Sequence, residues 1–106
     1  MAINLGKYAF GGPYDGAKYL VEKQGVFVVL CKDIRNEAKF YILDVDESDN
    51  VRKAAMDHPR QVEWVKKAHG TGKLAVGVLY TELMKKEDRL KVVSYVRGLF
   101  DTPCGS

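Results

Sequence analysis

A strand-to-helix junction rich in acidic residues most limits how this chain can fold. The apolar run Phe40–Leu43 stops at the segment Asp44–Asn50, which has four acidic side chains. A helical pattern follows over about Asn50–Asp57. Ser48 or Asp49 is predicted to cap that helix, because a side-chain oxygen can accept a hydrogen bond from a first-turn N–H. Small α/β domains often carry their chemistry at such a junction.

The rest of the pattern predicts a small α+β domain. Val26–Cys31 is β-branched and aromatic, and we expect it to form an antiparallel hairpin with Lys39–Val45. Further elements are predicted as a short helix at Gly16–Lys23, a helix after Pro59, a strand at Leu74–Tyr80 and a long helix at Lys85–Phe100. The order β-β-α-α-β-α predicts a three-stranded antiparallel sheet flanked by helices.

The spacing of apolar residues predicts which helix positions face the core. After Pro59 the inward set is Val62, Trp64, Val65 and Ala68. In the last helix it is Leu90, Val93, Val96, Arg97 and Phe100.

Length and composition predict a single domain over residues 1–106, with 1–24 as a lead-in. Within it, Met1–Asp15 is expected to be extended or a short strand that is followed by a turn. The net charge of +3 permits contact with nucleic acid without requiring it. Cys31 in an apolar run and Cys104 in a polar tail do not resemble a disulfide framework, which favours a cytoplasmic location. No apolar run approaches the length of a membrane span, so no membrane partner is expected.

A calcium-binding loop is one interpretation of the acidic junction. Oxygen-bearing side chains alternate along Asp44–Asn50, as a hard cation requires. The sixth position of such a loop should be Gly and the twelfth Glu, but these are Asp49 and Ala55. A solvated capping segment is preferred, and no metal or cofactor is predicted.

A phosphatase-like or metal-dependent carboxylate enzyme is an alternative at the same place. Asp44 and Asp46 have the spacing of an aspartate nucleophile and its acid/base partner in haloacid-dehalogenase-type phosphatases. That fold places its nucleophile on a parallel, doubly wound sheet, whereas Asp44 follows a predicted hairpin.

Three weaker motifs have simpler interpretations. Gly70–Lys73 lacks the spacing of a phosphate loop and precedes a strand, so it is predicted to be a turn. His58 and His69 have no partners at metal-ligand spacing. Basic residues concentrate in the middle third and are candidates for phosphate contacts: Arg52, Lys53, Arg60, Lys66, Lys67 and Lys73.

Taken in order, several segments resemble the GIY-YIG nuclease superfamily. Gly25–Phe27 stands where the family has its Gly-Ile/Val-Tyr strand. Asp44–Asp46 stands where the family has the end of its Tyr-Ile-Gly strand. The remaining matching positions are Asn4–Gly6, Phe10–Pro13, Ser48, Asn50, Val51, His58, Tyr80, Arg89 and Phe100–Gly105. The resemblance implies a GIY-YIG-like α+β domain over residues 25–105.

The chain departs from that family at the positions that do the chemistry. Active members use two tyrosines, an arginine and a metal-binding glutamate, and here these positions hold Phe27, Asp44, Ala54 and Val93. Asp46 replaces the motif glycine. Without the glutamate, metal-assisted phosphodiester cleavage has no protein ligand for its metal.

We therefore expect a catalytically degenerate domain that binds nucleic acid or another protein. A purely structural interaction domain is a further alternative. If a cleft persists, its candidate residues are Asp46, Arg52, His58, Tyr80 and Arg89. The ligand and the oligomeric state stay open.

Overall fold

The protein is an α+β domain built on one antiparallel sheet. The computed structural model describes residues 2–33, 35, 39–68 and 72–104. The elements are β1 (Ala2–Leu5), β2 (Tyr8–Tyr14), a 3₁₀ helix (Ala17–Tyr19), β3 (Gly25–Asp33), β4 (Phe40–Ser48), α1 (Val51–Met56), α2 (Gln61–Ala68), β5 (Gly72–Tyr80) and α3 (Lys86–Leu99).

The sheet has five strands, not the predicted three, in the order β1-β2-β5-β3-β4. The three expected strands form one contiguous side, and β2 pairs with the free edge of β5. The first 15 residues were expected to be extended or a short strand, and they contain two strands that join the sheet. We did not predict this pairing, because both segments are short or rich in glycine. Exposed and buried side chains alternate along β1, where Ile3 and Leu5 are buried, and Phe10 of β2 is buried as well.

The helix predicted at Gly16–Lys23 is wrong beyond its first turn, because only Ala17–Tyr19 forms a 3₁₀ helix. The segment after this 3₁₀ helix is hydrogen-bonded to the C-terminal end of β5. The Val21 N–H donates to the Tyr80 hydroxyl at 2.8 Å, and the Gln24 carbonyl accepts from the Thr81 N–H at 3.2 Å. These backbone groups are therefore used outside any helix.

The two faces of the sheet carry separate cores. On one face α3 packs Val92, Val93 and Val96 against the strands. On the other face α1, α2 and the 3₁₀ helix cover Phe27, Val29 and their neighbours. Neighbouring residues of β3 alternate between the two cores, as the pleat of a strand requires.

A bulge in β4 interrupts this alternation at the acidic junction. Val29 pairs with Asp44 and Leu30 pairs with Ile42, so Leu43 is an extra residue. An extra residue resets the phase of a strand. Leu43 and Asp44 consequently lie on the same face, toward α1 and α2.

The helices differ from expectation in their cap and in their buried sides. Asn50, not Ser48 or Asp49, caps α1, because its side chain accepts from the Lys53 N–H at 3.1 Å. Trp64 and Ala68 are buried as predicted. Val62, Val65 and Leu90 were predicted to face the core but are 65%, 54% and 46% exposed. In α2 the Trp64–Ala68 side faces the sheet, and the two valines border an open cavity.

The C-terminal tail is anchored to β4. The Cys104 N–H donates to the Leu43 carbonyl at 2.9 Å, and the Cys104 side chain is buried in the α1–α2 core. Burial raises the pKa of the Cys104 thiol.

Some predicted features fall on undescribed positions. The connection between the two strands of the predicted hairpin includes residues 34 and 36–38, which lie outside the described residues. So do residues 69–71, which include the first half of the turn predicted at Gly70–Lys73. No helix within the described part of the chain combines the length and apolar character that crossing a membrane requires.

Candidate functional site

Asp44 is the centre of the acidic junction, and its carboxylate is fully engaged. The side chain is 1% exposed. Arg60 donates through Nε to Oδ2 at 2.7 Å and through Nη2 to Oδ1 at 3.1 Å, a two-point fork. Trp64 Nε1 donates to Oδ2 at 2.8 Å, and the Val45 N–H donates to Oδ1 at 2.8 Å. The hydrogen bond to Asp44 raises the pKa of the Arg60 guanidinium.

This arrangement defines what Asp44 can do chemically. A nucleophile or metal ligand needs a lone pair directed at a reacting atom or an ion. Both oxygens of Asp44 accept two protein donors each, and no opening reaches them. The geometry is that of a buried structural ion pair, which connects β4 to α2 through Arg60 and Trp64.

Asp46 and His58 form a second pair beside the first. His58 Nε2 lies 2.9 Å from Asp46 Oδ2, and His58 Nδ1 accepts from the Arg60 N–H at 3.1 Å. Because Nδ1 is an acceptor, the proton of the neutral ring is on Nε2 and is donated to Asp46. The ring packs against Phe27 at 5.9 Å and Trp64 at 4.7 Å between centroids. His58 is therefore held by two hydrogen bonds and by two aromatic rings.

A polar cleft of about 420 Å³ opens next to this pair. It is lined by Asp46, Ser48, Asn50, Lys53, Ala54, Asp57, His58, Pro59 and Arg60. Of the candidate cleft residues, Asp46 and His58 border it, whereas Arg52, Tyr80 and Arg89 are not among its lining. The Tyr80 hydroxyl accepts from the Val21 N–H, away from this cleft.

Arg89 belongs to a separate cluster between α3 and the end of β4. Its Nη2 donates to Asp49 at 2.6 Å, and its Nε lies 3.6 Å from Glu47 Oε2. The side chains of Arg89 and Glu47 are 3% and 7% exposed. This arginine is used to neutralise the carboxylates at the sheet end, not to line a cleft with His58.

The positions to which the predicted GIY-YIG resemblance assigns catalysis are packed into the structure. Phe27 is buried and lies opposite Asp46 in the β3–β4 register. Val93 is 3% exposed in the α3-side core, with Val96 and Phe100 in the same cluster. Ala54 is half-buried in the cleft wall. Among the described residues, no three His, Cys, Asp or Glu side chains group as a metal site would require.

The predicted phosphate-binding residues separate into two groups. Arg60 is taken up by Asp44 and Asp46. The side chains of Lys53, Lys66, Lys67 and Lys73 are exposed, and that of Arg52 is half-buried. Lys73 lies 4.0 Å from Asp15.

A second cavity, of about 450 Å³, was not predicted from the sequence. It opens beside α2 and is lined mostly by apolar side chains: Asp15, Gly16, Ala17, Val29, Ala55, Gln61, Val62, Trp64, Val65, Lys66, Leu74, Ala75 and Val76. These residues come from five segments of the chain, so no local sequence pattern predicts the cavity. The exposed valines of α2 were a signal, but their spacing was interpreted as core.

Comparisons of the chain with protein-family models, curated proteins and solved structures found no match.

Proposed function

We propose that this protein is a catalytically degenerate GIY-YIG-like domain that binds nucleic acid without cleaving it. The hydrogen bonds of the Asp44 carboxylate are the main support for the loss of catalysis. Asp44, at the position of a family tyrosine, is a buried carboxylate with four protein donors. Val93, at the position of the metal-binding glutamate, is core.

The scaffold is compatible with this proposal. β3, β4 and β5 form a contiguous antiparallel unit, and two helices connect β4 to β5. β2 pairs with the edge of β5 that faces away from β3, so among the described residues β1 and β2 do not contact the β3–β4 hairpin through strand pairing.

We assign binding to the accessible basic side chains of α1, α2 and the start of β5, which are Arg52, Lys53, Lys66, Lys67 and Lys73. Lysines on an exposed surface contact phosphates independently of sequence and release counterions when they do so. In the cleft beside α1, Asp46 and Asp57 stand against Lys53 and Arg60, so its charges cancel and phosphate contact is expected on the helices.

The catalytic half of the proposal is tested by incubating the protein with branched, single-stranded and duplex DNA plus magnesium or manganese. We expect no specific cleavage. Cleavage that is lost in Asp44→Asn or Asp46→Asn would overturn the proposal and favour a carboxylate enzyme at those residues.

The binding half is tested by measuring DNA affinity over a range of salt concentrations. The double variant Arg52→Gln/Lys53→Gln should reduce the slope of log affinity against log salt by up to about 2, one unit for each lost phosphate contact. Lys85→Gln/Lys91→Gln removes the same charge near and on α3 and should leave the slope unchanged. Affinity that does not depend on salt would contradict nucleic-acid binding.

A protein partner is the second candidate, and the exposed apolar side of α2 favours it. Val62 and Val65 are more than half exposed and lie one turn apart. A protein partner that covers them would bind with little salt dependence and would be lost in Val62→Ser/Val65→Ser, whereas nucleic-acid binding would persist.

A further inference from the structure

The apolar cavity beside α2 has the properties of a ligand site. Its volume of about 450 Å³ falls within the range of roughly 300–1,000 Å³ that is usual for small-molecule pockets. Its walls come from the 3₁₀-helix region, β3, β5, α1 and α2. It is therefore a concave space closed on several sides, which suits a compact molecule better than a flat protein surface.

Its wall includes an aromatic side chain whose orientation is fixed from behind. Trp64 lines the cavity and is 4% exposed, and its indole N–H donates to buried Asp44 at 2.8 Å. The only polar atom of the indole is thus satisfied within the protein. What remains for the cavity is apolar ring surface, held in one position.

The charges at the rim favour an anion. Lys66 and Asp15 are the charged residues of the lining. Asp15 is already contacted by Lys32 at 3.4 Å and by Lys73 at 4.0 Å. Asp15 is thus paired with two lysines that do not line the cavity, and Lys66 is left to attract a negative group at this mouth.

We propose that this cavity binds an organic anion with an extended apolar body, such as a medium-chain aliphatic carboxylate. The hydrocarbon part fills the space between Trp64, Val29 and Val76, and the carboxylate lies at the mouth near Lys66. The Asp44–Arg60 pair has a positioning role in this site, because it holds the Trp64 wall in place.

The chain itself supplies the reporter, since Trp64 is its single tryptophan. Dodecanoate, below its micellar concentration, is titrated into the full-length protein while Trp64 emission and the heat of binding are recorded. We expect saturable one-site binding with a negative heat-capacity change, the mark of apolar burial. From octanoate to dodecanoate, each methylene should tighten binding by up to about fourfold until the cavity is full.

Two variants with matched controls test the location. Ala17→Phe places a ring in the cavity and should weaken dodecanoate binding more than tenfold, whereas Ala9→Phe, at an exposed position of β2, should not. Lys66→Glu keeps the cavity and should weaken binding about fivefold or more, because it replaces an attraction with a repulsion. Lys91→Glu makes the same change of charge on α3 and should have no effect.

The charge of the ligand is tested with dodecyltrimethylammonium, which has the same chain and the opposite sign. We expect it to bind at least tenfold more weakly than dodecanoate. Equal binding of both, no saturable binding of dodecanoate, or binding that survives both Ala17→Phe and Lys66→Glu would overturn the assignment. None of these results affects the DNA measurement, which uses Arg52 and Lys53.

Discussion

Removal of the Arg60 guanidinium should show how much the Arg60–Asp44 ion pair contributes to the stability of the fold. In Arg60→Met the side chain keeps a comparable apolar length but loses its charge and its donors. The Asp44 carboxylate, 1% exposed, would stay in the core with only the Trp64 and Val45 N–H groups as donors. A buried charge without its counter-charge is strongly unfavourable.

The expected magnitude follows from the contacts that are lost. Breaking a buried pair by removing one partner costs about 3–5 kcal/mol in other proteins. The lower end applies here, because the Arg60 side chain is 30% exposed and two donors to Asp44 remain. We therefore expect a loss of about 3 kcal/mol in the free energy of unfolding. For a domain of this size that lowers the melting temperature by about 12 °C.

Urea unfolding monitored by Trp64 fluorescence and far-UV circular dichroism measures this change. Lys53→Met, which removes an exposed charge from α1, is the control and should stay within about 0.5 kcal/mol of the parent protein. An Arg60→Met protein as stable as this control would refute the role assigned to the ion pair.

A double variant separates lost charge pairing from lost packing. In Asp44→Asn/Arg60→Met the buried charge is gone, yet the amide oxygen can still accept from Trp64. We expect this protein to be more stable than Arg60→Met alone, by about 1 kcal/mol or more. Additive losses from the two substitutions would show that Arg60 contributes only through packing.

Further substitutions test the close packing at Gly25, the open space at Gly98, the buried position of Val93 and the buried thiol of Cys104. Gly25→Ala should destabilise the protein by about 2 kcal/mol in urea unfolding, because a Cβ there would collide with the Leu79 carbonyl. Gly98→Ala, in a helix with open space around it, should instead stabilise by about 0.5–1 kcal/mol. Val93→Glu introduces, at a 3% exposed site, the acidic residue that the proposed resemblance to nucleases would place there. It should lower the melting temperature sharply and produce no metal-dependent cleavage. The pKa of the Cys104 thiol is raised above its ordinary value of 9.0, so the unfolded chain loses this proton first as pH rises. The free energy of unfolding should therefore not depend on this thiol below pH 9, and it should fall as pH rises through the folded-state pKa. Cys104→Ala should remove that part of the decline.

Local sequence signals were sufficient where one property dominates a segment. The β-branched run Val26–Cys31 lies within β3, and the strand predicted at Leu74–Tyr80 lies within β5. Pro59 separates α1 from α2 as expected, because the residue before a proline is pushed out of the helical region. These elements depend on the intrinsic preferences of a few neighbouring residues.

The predictions failed where a segment depends on a distant partner. β1 and β2 exist because β5 offers an unpaired edge, and the segment after Tyr19 leaves the helical state because Tyr80 takes a backbone N–H. Val62 and Val65 have the spacing of core residues but border a cavity whose other walls come from elsewhere in the chain. Periodicity reports how apolar a position is, not what stands opposite it.

The acidic junction shows both sides of this division. The sequence by itself determined that a strand is followed there by a helix. That Asp44 occupies the place of a catalytic tyrosine stays a prediction from the resemblance. Only the tertiary structure decided the chemistry of that carboxylate. The bulge at Leu43 turns Asp44 toward α2, where Arg60 and Trp64, 16 and 20 residues away, enclose it. A buried charge must find its partners in space, and the distance along the chain does not reveal them.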